Sequence, residues 1–318
     1  MIVKPVNLDD DLLRSFKVAK VFRENTESIS SISFSNSGVF LASSGLDTKI
    51  DLYNCHSGTH VHSTFSQKYG VDNICYSPED DKILHSSTSN NDAIRYLCFL
   101  NNSYVRYFKG HTKKVTGLNF AGKTGSFVSS SLDKTVRLWD LRTEGFQAML
   151  NMSGPSLATF DPEGFMVAVA EDSQVLKLFD RRNLANPLLT GLDTKSKENN
   201  WISVEFSPDG GSILLSTDSS LMVLIDAFTL ESVHVLTGYP NNSDLRVRGD
   251  FSADSKYVFC GGNDGHIHVW KTLSGTKLCR FVGDHQSATQ CVKHNPMFCM
   301  FASACTNMEF WIPFDPSA

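Results

Sequence analysis

GHTKKVTGLNFAGKTGSFVSSSLDKTVRLWDLR, from Gly110 to Arg142, is the stretch that decides the fold. It opens on a Gly-His pair and runs into a β-prone segment, VTGLNF. A glycine turn, AGKTG, leads to a strand of small residues, SFVSSS, and an Asp-led turn leads to a third strand, VRLWD. Three short strands joined by tight turns cannot bury their own faces, so a unit of this kind is stable only when copies of it stack.

The copies run along the chain. The slot held by Trp139 is held by Tyr53, Leu97, Phe179, Ile225, Trp270 and Trp311, in KIDLYN, AIRYLC, VLKLFD, MVLIDA, HIHVWK and MEFWIP. The intervals between slots are 44, 42, 40, 46, 45 and 41 residues, close to the roughly 40–45-residue period of a four-stranded propeller blade. Asp47, Asp133 and Asp264 stand six residues before the slot, where the other units have Asn91, Ser173, Ser219 and Cys305. Gly110–Arg142 carries the whole WD-repeat signature, and seven slots predict an all-β fold, a seven-bladed WD-repeat β-propeller. The expected organisation is one domain over 1–318, with units at roughly 25–65, 66–108, 109–150, 151–192, 193–238, 239–282 and 283–313. After Trp311 only IPFDPSA remains, too little for the outer strand of the last blade. The β-capable run 15–22, SFKVAKVF, is unassigned and is expected to pair there and close the ring.

Composition agrees with a soluble globular chain: 41% hydrophobic and 20% charged residues argue against disorder. No apolar run approaches the roughly 18–20 residues of a membrane span, and the N-terminus lacks the apolar core of a secretory signal. Eight cysteines are scattered with no CxxC pair, which fits neither a zinc site nor a disulfide framework and points to a reducing compartment, cytosol or nucleus.

Net charge is −5, but residues 104–142 carry eight basic against two acidic residues, so that stretch is +6 and the remainder −11. In a blade, the loop entering the innermost strand and the turn between the second and third strands lie at one end. Lys109, Lys113 and Lys114 fall in that loop of the third blade and Lys134 in that turn, whereas Lys123 and Arg142 go to the opposite end. The four lysines form a candidate basic rim for a phosphorylated or acidic peptide; the bland alternative is a solvated, solubilising face.

Signals for catalysis are weak. Gly117–Thr124, GLNFAGKT, matches the Walker A pattern, but the following SFVSSS reads as a strand, and a P-loop needs a helix there. His266 and His268 have a zinc-compatible spacing without an evident third ligand, and they share a strand face with Trp270. His111, Asp133 and Trp139 are expected to form a buried hydrogen-bonded bridge, with Asp47, Asp264, Trp270 and Trp311 in the corresponding structural positions. No catalytic residue, cofactor site or metal site is predicted.

LRSFKVAKVFREN (13–25), KYGVD (68–72), AIRYL (93–97), SLDKTVRLWDLR (131–142), FDPEG (160–164), LIDAF (224–228) and FASACTNMEFW (301–311) carry a further likeness. Over nearly its whole length the chain resembles the WD repeat-containing protein 82 family, the propeller subunits of COMPASS-type histone H3 lysine methyltransferase complexes. SLDKTVRLWDLR is generic to WD repeats; the terminal segments are more specific. The chain departs from that family in an N-terminal extension and in loops such as DTKSKENN (193–200), which bears on partner choice more than on fold. The resemblance implies a non-catalytic nuclear scaffold that joins the methyltransferase catalytic subunit to RNA polymerase II carrying a serine-phosphorylated C-terminal tail. It implies no sequence-specific nucleic acid, membrane or obligate homo-oligomeric partner. Related propellers in protein-phosphatase and transcription-termination assemblies supply a second scaffold reading. An enzyme with a site in the axial channel is a third, and would require a deep axial pocket of convergent titratable residues.

Overall fold

The Asp-led turns set the register from which the rest of the fold follows. Asp47, Asp133 and Asp264 are each followed by a residue in the left-handed region: Thr48 (φ 63°), Lys134 (φ 65°) and Gly265 (φ 73°). Each carboxylate accepts the amide N–H two residues on, from Lys49 at 3.2 Å, Thr135 at 2.9 Å and His266 at 3.2 Å. A short acidic side chain can make that bond to its own turn, and so reverses the chain into the strand that carries the slot residue.

The computed structural model describes residues 8–89, 91–122, 124–192, 199–241 and 245–314. They form seven four-stranded antiparallel sheets. Blade I comprises Ile29–Phe34, Phe40–Gly45, Lys49–Asn54 and Thr59–Phe65, in order from the axis outward. The innermost strands of blades II to VII are Ile74–Tyr76, Val115–Phe120, Ser156–Phe160, Trp201–Phe206, Gly249–Phe251 and Cys291–His294. All seven slot residues are buried. The sheets pack face to face through seven apolar clusters among the described residues, one between each neighbouring pair of blades. Between blades II and III, for example, Tyr96 and Phe108 meet Phe127 and Trp139. A large slot residue therefore lies where two sheets meet.

The ring closes through the N-terminal segment, as the sequence leads one to expect. Phe16–Phe22 pairs antiparallel with Met308–Pro313, Phe16 opposite Pro313 and Phe22 opposite Met308, and is the outer strand of blade VII. One feature was not legible beforehand: a short helix, Asp10–Arg14, capped by the Asp9 side chain. Leu8 and Leu13 on either side of its start are buried against blade VI, and the Leu8 amide donates to Asp254 at 2.9 Å. Gly117–Thr124 spans a hairpin between Val115–Phe120 and Ser126–Ser131, and a strand follows it where a P-loop needs a helix. Lys123 lies outside the described residues, as do 193–198 of the DTKSKENN loop.

Candidate functional site

In blade III the Gly-His loop, the second strand and the slot are joined by one hydrogen-bonded bridge. His111 Nδ1 lies 2.8 Å from Asp133, and its Nε2 lies 2.7 Å from Ser129 Oγ. Trp139 Nε1 donates to the same hydroxyl at 2.8 Å. With Nδ1 protonated toward Asp133, the Ser129 hydroxyl donates to Nε2 and accepts from Trp139, so every polar atom of the buried chain is satisfied. Burial pushes the Asp133 carboxyl up, but bonds from Thr135, His111 and the Thr112 amide outweigh it and hold it down at about 2. Burial depresses His111 despite the facing carboxylate. The expected trio is therefore assembled, with Ser129 as a fourth member that the sequence reading missed. A serine recurs at Ser303, on the second strand of blade VII, where Trp311 Nε1 donates to it at 2.8 Å; that recurrence was the available signal.

Other blades solve the same problem with different residues. In blade I the Thr26 amide donates to Asp47 at 3.1 Å. In blade II, Arg95 is buried, donates to Asn91 at 3.0 Å, and lies over the Tyr69 ring at 3.6 Å. In blade VI, ring nitrogens of His266 and His268 lie 3.1 and 3.3 Å from Asp264, and the Trp270 indole donates to the Thr237 carbonyl at 3.1 Å. Blade VII places a thiol at the aspartate position. Cys305 Sγ lies 3.1 Å from His285 Nδ1 and accepts the Asn307 amide at 3.4 Å, the same turn bond that Asp133 makes. Burial raises this thiol, yet the His285 ring and the Asn307 amide outweigh it and bring it to about 6.

The bridge fixes where the lysines emerge. The Thr112 amide donates to Asp133 at 3.0 Å and the Leu132 amide to the Lys114 carbonyl at 3.0 Å, stapling the loop that enters blade III to the turn bearing Lys134. Lys109, Lys113 and Lys134 are exposed at this end, and the Lys134 ammonium donates to the Ser153 carbonyl at 2.9 Å. Lys114 differs. Its ammonium lies 2.6 Å from the buried Asp72 carboxylate, so its charge is neutralised by blade II. Three lysines, rather than the expected four, offer net positive charge at this end. Arg142 pairs with Asp140 at 2.6 Å, in the turn that follows the third strand.

The axis contains a cavity of about 410 Å³ lined by the innermost strands of all seven blades. Its ionisable groups face one another. Lys293 lies 2.9 Å from Asp250 and 3.4 Å from Glu205. Burial opposes its charge, but the two carboxylates outweigh it and hold the ammonium above the ordinary lysine range. Arg248 reaches across the axis to Asn73 at 2.7 Å. A lysine held protonated between two carboxylates is neither a nucleophile nor a base near neutral pH.

The family model "WD domain, G-beta repeat" matches residues 16–54, 102–140 and 230–271. The chain is 44% identical over 309 residues to WD repeat-containing protein 82 of Drosophila melanogaster, covering 97% of this chain and 98% of that one. It is 32% identical to the Set1 complex component swd2 of Schizosaccharomyces pombe, over 84% of this chain and 78% of that one. It is 26% identical to the COMPASS component SWD2 of Saccharomyces cerevisiae, over 96% and 98% of the two chains.

Proposed function

The chain belongs to the WD repeat-containing protein 82 family, and from that premise we propose that it is a non-catalytic scaffold subunit of a nuclear, COMPASS-type histone H3 lysine methyltransferase complex. The likeness to two relatives named as Set1 and COMPASS components, along most of the chain, carries this reading. The mutual pairing of Lys293, Asp250 and Glu205 in the axial cavity supports a binding role over catalysis there. Within the complex, the protein links the methyltransferase to RNA polymerase II by binding the phosphorylated C-terminal tail. Exposed Lys109, Lys113 and Lys134 support that link, because phosphate oxygens accept strong charge-assisted hydrogen bonds from ammonium donors. Affinity purification of a tagged copy with mass spectrometry tests the assignment. Recovery of the methyltransferase catalytic subunit together with the polymerase is the expected result. Recovery of phosphatase-complex subunits with no methyltransferase would replace this reading by the other scaffold one.

A further inference from the structure

A second cavity, of about 260 Å³, opens at the end of the ring that carries the lysines. Its apolar wall is Leu132, Pro155, Leu157, Trp201 and Ile202, contributed by blades III, IV and V. The volume is below the roughly 300–1,000 Å³ of pockets that take small molecules, and suits one inserted side chain. Ser156, 3% exposed, adds a buried residue to the lining. One cation lines the cavity and a second lies outside it on the blade III side. Arg246, exposed and lining the cavity, is paired with no carboxylate among the described residues. On the blade III side, Lys134 is held over the blade IV loop by a carbonyl, which leaves its charge uncompensated. Asp218, the carboxylate in the lining, is engaged by the Asn200 amide at 3.0 Å and side chain at 2.7 Å.

We propose that this cavity anchors an apolar side chain of an extended, serine-phosphorylated peptide, whose anionic groups meet Arg246 in its lining and Lys134 beyond it, two residues along the chain from Leu132. The inference rests on the phosphorylated-tail reading above and assigns it a place. The apolar wall selects against a chain that is only acidic.

Fluorescence anisotropy of a labelled, serine-phosphorylated polymerase-tail peptide tests it, with thermal midpoints of each protein as the folding control. Arg246→Glu should weaken binding about tenfold or more, as expected for losing a hydrogen bond to a charged group. Leu132→Asp should weaken it severalfold with an unchanged midpoint, because this wall residue is 39% exposed in the free protein. The same peptide without phosphate should bind wild type more weakly and be insensitive to Arg246→Glu. If Lys109→Glu/Lys113→Glu weakens binding while the Arg246 and Leu132 variants match wild type, the cavity is overturned and the tail reading stands. If wild type binds no phosphorylated peptide, the tail reading falls and the cavity assignment falls with it.

Discussion

Removing residues 1–24 should unfold or aggregate the protein, although the segment precedes the first repeat. The deletion strips the outer strand from blade VII and takes out Leu8, Leu13, Phe16 and Phe22, which are 1%, 0%, 3% and 5% exposed. At about 1.5–3 kcal/mol for each large apolar side chain buried, the loss is roughly 6–12 kcal/mol. Typical domains are stable by only about 5–15 kcal/mol. The loss also has no local substitute. Phe16 stacks on Phe301 at 5.4 Å, while Phe22 sits edge-on to Phe310 at 5.1 Å and packs on Tyr53 at 4.7 Å, so it joins blade VII to blade I. The deletion would bare Met308–Pro313 as an unpaired edge, the usual template for aggregation. Size-exclusion chromatography and thermal melting are the assays. Phe22→Ala should lower the midpoint as a loss of about 3–5 kcal/mol requires, whereas exposed Lys20→Ala should leave it unchanged. A peptide spanning 8–24, added in trans, should partly restore a soluble monomer. A truncated protein that stays monomeric with the wild-type midpoint would refute the reasoning, since the ring would then close without its outer strand.

Reversal of Lys109, Lys113 and Lys134 together to Glu should preserve the fold and weaken phosphorylated-peptide binding, more at low salt than at moderate salt; equal affinities at both would show that the rim only solubilises. Single reversals can be nearly silent, since an exposed pair contributes only about 0.2–1 kcal/mol, and Lys114 is spared because a glutamate there would face Asp72. The Cys305 thiol should give a thiolate absorbance step near pH 6 that disappears in Cys305→Ser. Its pKa lies below the ordinary thiol value of about 9, so its ionisation supports the fold fully above about pH 9 and is withdrawn as pH falls through about 6. Cys305→Asp, which restores the residue of blades I, III and VI, should melt higher than wild type at pH 6; a lower midpoint would show that the sulfur is needed for packing. Lys123→Ala should change neither stability nor nucleotide affinity, and calorimetric ATP binding that vanishes in this variant would contradict the hairpin reading of Gly117–Thr124.

The period of the slots was legible because it records a constraint that every blade obeys. Where two sheets meet, the third strand must present a large apolar residue, so even Leu97 and Ile225, which lack the tryptophan, keep the spacing. Turn chemistry was legible for the same local reason: Asp133 bonds the amide two residues on, within its own turn. The helix Asp10–Arg14 escaped notice because five residues carry too little periodicity to stand out from a loop. The site divides along the same line. Which end of the ring Lys109, Lys113 and Lys134 reach follows from strand order alone, and that was readable. Whether a charge remains available there depends on partners in other blades. Asp72 neutralises Lys114 from blade II, forty-two residues earlier in the chain, and Arg246 reaches the second cavity from the loop that enters blade VI. A repeat makes the scaffold redundant in sequence, one blade explaining the next. A binding surface on that scaffold arises where blades differ, in side chains brought together by ring closure and held by no shared spacing. That is why the sequence places these lysines at one end of the propeller but does not give the side chains that surround them there.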